Sequence, residues 1–311
     1  MKIVFCADTG MLAALHVAAK SVLEHFQGEP SFTVLSDELG EPDMALLHET
    51  LASSGKKFQL DLLGVDSKPF QDFPTLAGRH STYFRLLIPD LIPDDRCLYL
   101  DCDILCCTDV SPLGNWNLGD CALALAPEAP IQQSLDKKLV AELGAEATGF
   151  YHNAGVCVMD CARWRTENLG RKCLDYIAKN NPDYHDQSAL NHVFHNQIAK
   201  LDLSFNRQTN VRTNWPHFRS LLEIQGQILH FIDFPKPWSR YARWVHPFGK
   251  MWWQAYRQTA HFQRGVEVSS SLDWNEKTKA GYKKALKDKI LFSMYSAGLV
   301  LPKGVPATRG S

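Results

Sequence analysis

The chain is expected to fold as a doubly wound, mostly parallel α/β sheet with a helical, basic C-terminal tail. Three observations predict this. Apolar strands alternate with helical stretches from the first residues onward. Residues 98–105, Leu-Tyr-Leu-Asp-Cys-Asp-Ile-Leu, begin with a run of the length and residue types of a buried strand. The composition, 45% hydrophobic and 22% charged over 311 residues, leaves ample apolar material for a large core.

Residues 2–7 form a first strand that runs into Asp8-Thr9-Gly10. Residues 11–26 carry Leu12, Leu15, Ala19, Val22, Leu23 and Phe26 at helical spacing. Phe32 to Leu35 is a second strand, and residues 42–54 are a helix with Leu46, Leu47 and Leu51 on one face. Residues 57–63 are a third strand, completing a β-α-β-α-β unit. Residues 66–80, rich in Pro, Gly and Asp, form a covering loop, and Ser81 to Ile88 a short helix that Pro89 ends. Strands follow at 97–101 and 121–126, a helix at 131–143 with Lys138 and Glu142 as solvated charges, and a strand at 150–160 kinked at Asn153-Ala154-Gly155. Residues 162–179 are helical, a further helix starts near Asp186, and 227–232 is a strand.

A net charge of −1 argues against coating nucleic acid. The nine cysteines show no repeating metal spacing and read as reduced structural thiols in a cytoplasmic protein. Met1 to Phe5 reads as a first strand and not as a signal peptide, and no apolar run is long enough to span a membrane.

Two carboxylates, Asp101 and Asp103, stand two positions apart. In an extended chain both point to one side and can grip one hard divalent cation, usually shared with substrate phosphates. This points to an enzyme that handles a diphosphate. Asp8, Asp101 and Asn153 sit at or near strand ends, where an open α/β sheet binds its ligands. Taken singly, Asp8 also fits a turn cap and the D-x-D a pair of strand-end ion-pairing acids. His230 stands just before the proline-bracketed turn Asp233-Phe234-Pro235-Lys236-Pro237. A neutral imidazole beside two carboxylates makes a mixed N/O site suited to Mn²⁺, and Lys236 would face a leaving diphosphate.

Six segments together resemble the glycogenin-like family of retaining glycosyltransferases, family 8, which includes bacterial lipopolysaccharide α-galactosyl- and α-glucosyltransferases. They are Phe5-Cys6-Ala7-Asp8, Ser81 to Leu86, Leu98 to Asp103, Tyr151 to Val156, Asp186 to Asn191, and His230 to Trp238. The resemblance spans about residues 2–260. It implies a GT-A fold, with residues 1–262 as catalytic domain and 263–311 as tail. It also implies a uridine diphosphate hexose donor and a Mn²⁺ ion, with Mg²⁺ as the alternative. Asp101, Asp103 and His230 match the metal ligands. Ala7 and Asp8 match contacts to uracil and ribose, and Lys236 the diphosphate contact. Arg85, Asp101, Asn153, Asp186 and Gln187 match residues around the donor sugar. Asp233 replaces a usual Gly whose backbone approaches the diphosphate, so its carboxylate must turn away. Thr9-Gly10-Met11 follows Asp8 where further polar residues are common, and His152 replaces a Phe-like residue.

The implied reaction moves galactose or glucose to a saccharide acceptor, lipopolysaccharide or another cell-surface glycan, with an α-linkage. The candidate nucleophiles are Gln187, a poor one, and Asp186; attack from the leaving-group face is therefore expected, with the departing phosphate oxygen taking the acceptor proton and Asp186 orienting sugar hydroxyls. Loops around 66–80 and 205–220 would read the acceptor. From Lys277 to Lys289 there are six lysines against one acid, followed by apolar residues. This reads as a helix on an anionic membrane face, aided by the aromatic and arginine stretch 238–257, with a solvated face or a docking helix as alternatives. Two rival functions are a non-catalytic nucleotide-sugar-binding module and a haloacid dehalogenase-type phosphatase. The latter lacks its later second acid here.

Overall fold

A computed structural model describes residues 1–76, 78–209, 224–239, 241–266, 268 and 276–297. The acceptor-reading stretch 205–220 lies outside the described residues from 210 onward, as does the tail beyond 297. The main sheet has seven strands in the order β3-β2-β1-β4-β7-β6-β8. Their ranges are β1 Lys2–Cys6, β2 Ser31–Ser36, β3 Gln59–Gly64, β4 Arg96–Leu100, β6 Leu123–Pro130, β7 Phe150–Asp160 and β8 Ala199–Lys200. Strands β1 to β4 run parallel; β7 is antiparallel to β4 and β6. A second sheet pairs β5 Ile104–Cys106 and β9 Arg207–Gln208 with β10 Ile228–His230. The strand expected at 227–232 is therefore β10, in this second sheet.

Alternation along the strands builds a core on each face of the sheet. Ile3 and Phe5 of β1 and Leu98 and Leu100 of β4 enter one core, shared with helices Leu12–His25, Glu41–Ala52 and Gly249–Tyr256. Val4, Cys6, Cys97 and Tyr99 enter the other, under helices Leu169–Asn180 and His185–Val193. The nine cysteines are free thiols, seven of them buried as small core residues.

Several local expectations shift. Ser81–Leu87 is a 3₁₀ segment that continues into a helix at Ile88–Leu91, because Pro89 falls in that helix's first turn, where its missing N–H costs nothing. The helix expected at 131–143 begins only at Lys137, where the Asp136 side chain caps it by accepting from the Leu139 N–H. Lys138 is not simply solvated: it donates to the Asn180 and Asn181 carbonyls, and Glu142 accepts from the Tyr176 hydroxyl. Residues 162–179 divide into two helices at Asn168, which adopts φ 54°. In the stretch 238–257, Trp238, Trp252 and Tyr256 are buried in the main core, so only Tyr241 and Trp244 of its large rings are strongly exposed. No helix among the described residues is long and apolar enough to cross a membrane.

Candidate active site

Strand β4 ends at Leu100, and residues 101–103 form a turn into β5. Asp101 and Asp103 thus converge across a turn and not along one extended strand. Two backbone bonds fix this turn. The Asp101 N–H donates to the Gly155 carbonyl at 2.8 Å, and the Phe231 N–H to the Asp103 carbonyl at 2.9 Å. The second bond carries β10 and His230 to the same point.

His230 Nε2 lies 3.1 Å from Asp103 Oδ1 and 3.5 Å from Asp101 Oδ2. These three side chains form the one His/Cys/Asp/Glu cluster among the described residues compact enough to hold a metal ion. His230 Nδ1 lies 2.9 Å from Asn206 Oδ1, and Asn206 Nδ2 in turn donates to Asn153 Oδ1 at 2.8 Å. That chain orients the Asn206 amide and places the Nδ1–H on its oxygen, leaving Nε2 to face the carboxylates. Gly155 permits the packing: a Cβ there would come within 2.2 Å of His230 Cε1. Lys236 donates to Asp103 Oδ2 at 2.7 Å and also to the Phe231 carbonyl.

Burial resists ionisation of both Asp101 and Asp103, yet neighbouring cations win. Arg85 and His230 hold Asp101 below the usual carboxylate range, and Lys236 and His230 hold Asp103 far below it. Burial also opposes charge on His230, but the two carboxylates raise it to about 9. The two carboxylates thus concentrate negative charge at one point, which Lys236 offsets in part and a divalent cation would neutralise. The donor set, two carboxylate oxygens and one imidazole nitrogen fixed from behind, suits Mn²⁺ or Mg²⁺.

The second part of the site is built on Arg85. Its Nη2 donates to Asp101 Oδ1 at 2.9 Å, its Nη1 to the Ala154 carbonyl at 2.6 Å, and its Nε to the Thr82 carbonyl at 3.2 Å. Tyr99 donates to the same Asp101 oxygen, and its ring lies 4.4 Å under the guanidinium. Asp186 is 3% exposed and accepts from Thr82 Oγ1 through Oδ1. Its Oδ2 lies 2.8 Å from Arg85 Nε, but that N–H is aimed at Thr82, so Oδ2 is a buried acceptor without a hydrogen bond. Burial leaves Asp186 harder to ionise than an ordinary carboxyl, despite Arg85.

Gln187 Oε1 accepts from Asn153 Nδ2 and the Ala154 N–H, both at 3.1 Å, while its Nε2 donates to the Tyr151 hydroxyl. Asn153 lies in the first half of β7, not at a strand's carboxyl end; it reaches the crevice because β7 runs antiparallel to β4. Asp8 is 5% exposed and spends one oxygen on the Gly10 N–H and the other on the Ser81 hydroxyl, so it caps a turn and ties down the covering loop. Ala7, at the same strand end, is fully buried. Asp233, which the resemblance sets at a usual Gly position, forms an ion pair with Lys284 at 2.8 Å. Sequence reasoning gave Thr82 and Tyr99 no role although they lie in the quoted segments, and it set Asn206 in an acceptor-reading loop, whereas Asn206 stands behind His230. Tyr99 could have been found, two positions before Asp101; Asn206 carries no local signal.

The family model described as "Glycosyl transferase family 8" matches residues 2–242. General stress protein A of Bacillus subtilis (strain 168) is 28% identical over 269 residues, covering 80% of this chain and 90% of that protein. The lipopolysaccharide glucosyltransferase WaaO of Escherichia coli (strain K12) is 21% identical over 266 residues, covering 82% of this chain and 77% of the relative. The crystal structure of the galactosyltransferase LgtC, in complex with donor and acceptor sugar analogs, superposes with a TM-score of 0.70. It has 25% identity and covers 85% of this chain and 99% of the other. The phosphatase alternative lapses with these matches. The fold is thus GT-A, and the chain belongs to glycosyltransferase family 8.

Proposed function

We propose that the protein transfers galactose or glucose from a uridine diphosphate donor to a saccharide acceptor, with retention and with Mn²⁺ or Mg²⁺. Lipopolysaccharide or a related cell-surface glycan is the acceptor class that the relatives' names favour. The observation that carries the reading is the convergence of Asp101, Asp103 and His230 on one point, with Lys236 beside them and an unsatisfied Asp186 oxygen nearby.

Asp101, Asp103 and His230 would hold the cation, which supplies charge neutralisation at the diphosphate as the C1–O bond breaks. Lys236, released from Asp103, adds a second positive charge to the leaving group. Asp8 and Ala7 line the nucleoside end at the tip of β1. Asp186 would orient the sugar hydroxyls from behind, through the Arg85 guanidinium and Thr82 hydroxyl that it holds, and Arg85 keeps Asp186 and Asp101 apart and oriented. The Gln187 carbonyl already accepts two hydrogen bonds, which disfavours it as a nucleophile. Same-face attack is therefore the reading adopted: the acceptor oxygen bonds to C1 as the phosphate oxygen leaves and takes the acceptor proton.

The C-terminal helix Glu276–Ser296 turns Thr278, Tyr282, Ala285 and Asp288 inward and leaves Lys283, Leu286, Lys287 and Ile290 exposed on its outer face. That basic and apolar outer face supports a cytoplasmic enzyme resting on an anionic membrane surface. Unchanged binding of Leu286→Ser/Ile290→Ser protein to anionic liposomes would overturn the membrane reading.

The direct test is uridine diphosphate release from UDP-galactose and UDP-glucose with Mn²⁺, with and without chelator. Chelator-sensitive release from one donor is expected. Absence of both release and calorimetric donor binding would sink the transferase reading.

A further inference from the structure

The inner face of the C-terminal helix contacts the turn that carries Lys236. Gly281 lets the helix backbone approach this turn: a Cβ there would come within 2.8 Å of Phe234 Cδ1 and 3.2 Å of the Phe234 carbonyl oxygen. Tyr282 meets the Phe234 ring edge-on at 5.9 Å, and Phe292 meets Phe248 at 5.0 Å. Lys289 donates to the Trp244 carbonyl. Between these contacts Lys284 pairs with Asp233 at 2.8 Å. The turn is bonded to the D-x-D through Phe231 and Lys236, so Asp233 is part of the segment that would face a bound diphosphate.

A carboxylate at this place repels phosphates unless its charge is offset. We propose that Lys284 is a positioning residue for the nucleotide-sugar site. From the C-terminal helix it neutralises Asp233 and draws that carboxylate aside, so that the Asp233–Lys236 turn can receive a diphosphate. This deepens the functional reading above and rests on it. The helix thus completes the donor site as well as presenting an outer face.

The test is calorimetric binding of UDP with Mn²⁺ to the full chain, alongside thermal melting. Lys284→Met should weaken UDP binding about three- to tenfold, more at low salt than at high. Adding Asp233→Asn to that variant should restore binding to within about twofold of wild type, because the charge that needed a partner is gone. Lys284→Arg, which keeps the charge, should bind as wild type. Unaltered UDP binding by Lys284→Met, failure of Asp233→Asn to restore it, or an equal loss in Lys284→Arg would each overturn the inference. If the wild type itself binds no UDP, the functional reading falls and takes this one with it. Wild-type binding with an unaffected Lys284→Met variant sinks this inference alone.

Discussion

Two carboxyl groups in this site are shifted in opposite directions. Asp103, in the metal corner, is pulled far below the carboxylate range by Lys236 and His230 against its burial. Asp186, in the sugar corner, is raised by burial, because its one close cation, Arg85, is shared with Asp101 and aims its Nε–H elsewhere. The metal corner therefore holds concentrated negative charge balanced by Lys236 and His230. The sugar corner holds a network of amides and one guanidinium, in which Asp186 Oδ2 has the Arg85 ion pair but no aligned hydrogen bond. The difference teaches how one crevice can serve two tasks. On one side carboxylates meet groups that a cation could displace, and on the other a guanidinium and amides fix orientation.

The largest expected effect breaks the metal corner outright. Asp103→Asn should cut Mn²⁺-dependent donor turnover by about three orders of magnitude, because the leaving group loses its electrostatic support. Turnover near wild type in a steady-state assay would remove Asp103 from the site. Gly155→Ala comes next. Its Cβ would have to displace the His230 ring, so Mn²⁺ affinity should fall about 10- to 100-fold, with a stability loss of about 1–3 kcal/mol from overpacking. Mn²⁺ titration and denaturant unfolding read the two parts separately.

Asp186→Asn sharpens the contrast from the other side. It should lower turnover about 10- to 100-fold while leaving Mn²⁺ binding unchanged within error, since Asp186 touches the cluster only through Arg85. A parallel loss of Mn²⁺ affinity would show that the two corners are one unit. Asn206→Ala links them, and its cost in Mn²⁺ affinity should be smaller, about tenfold, because it only orients His230.

The last effect lies outside both corners and bears on stability and not on turnover. His16 and His246 are pushed down to about 3, by burial first and by neighbouring cationic groups second. In the unfolded chain they take up protons near the ordinary histidine value of about 6.5. The unfolded state therefore binds more protons between those values, and folding stability should decline as pH falls from about 6.5 toward 3. Melting temperatures constant from pH 7 to 5 would refute this.

Much of this was legible in the chain itself. The alternation of apolar strands and helices marks the doubly wound sheet, because a strand buried on both faces must be apolar along its length. Asp101, Asp103 and His230 could be picked out because metal chemistry limits the residue types that serve. The convergence mechanism could not be read, because a turn and an extended strand both bring positions i and i+2 together, and only the passage of the chain from β4 in one sheet to β5 in the other distinguishes them. Nor could Asn153's place be read, since strand direction is a property of the sheet and not of the segment.

The amino-acid sequence by itself determined the fold class, the nature of the charged residues and the lysine-rich character of the tail helix. These depend on local pattern and side-chain chemistry. The docking of that helix set which of its faces points outward. Tertiary structure alone decided which of those residues meet. Asn206 behind His230, Gly155 beneath it, and Lys284 on Asp233 are pairings 24, 75 and 51 residues apart. Such contacts are set by how the sheets and the C-terminal helix pack, and no local periodicity encodes them.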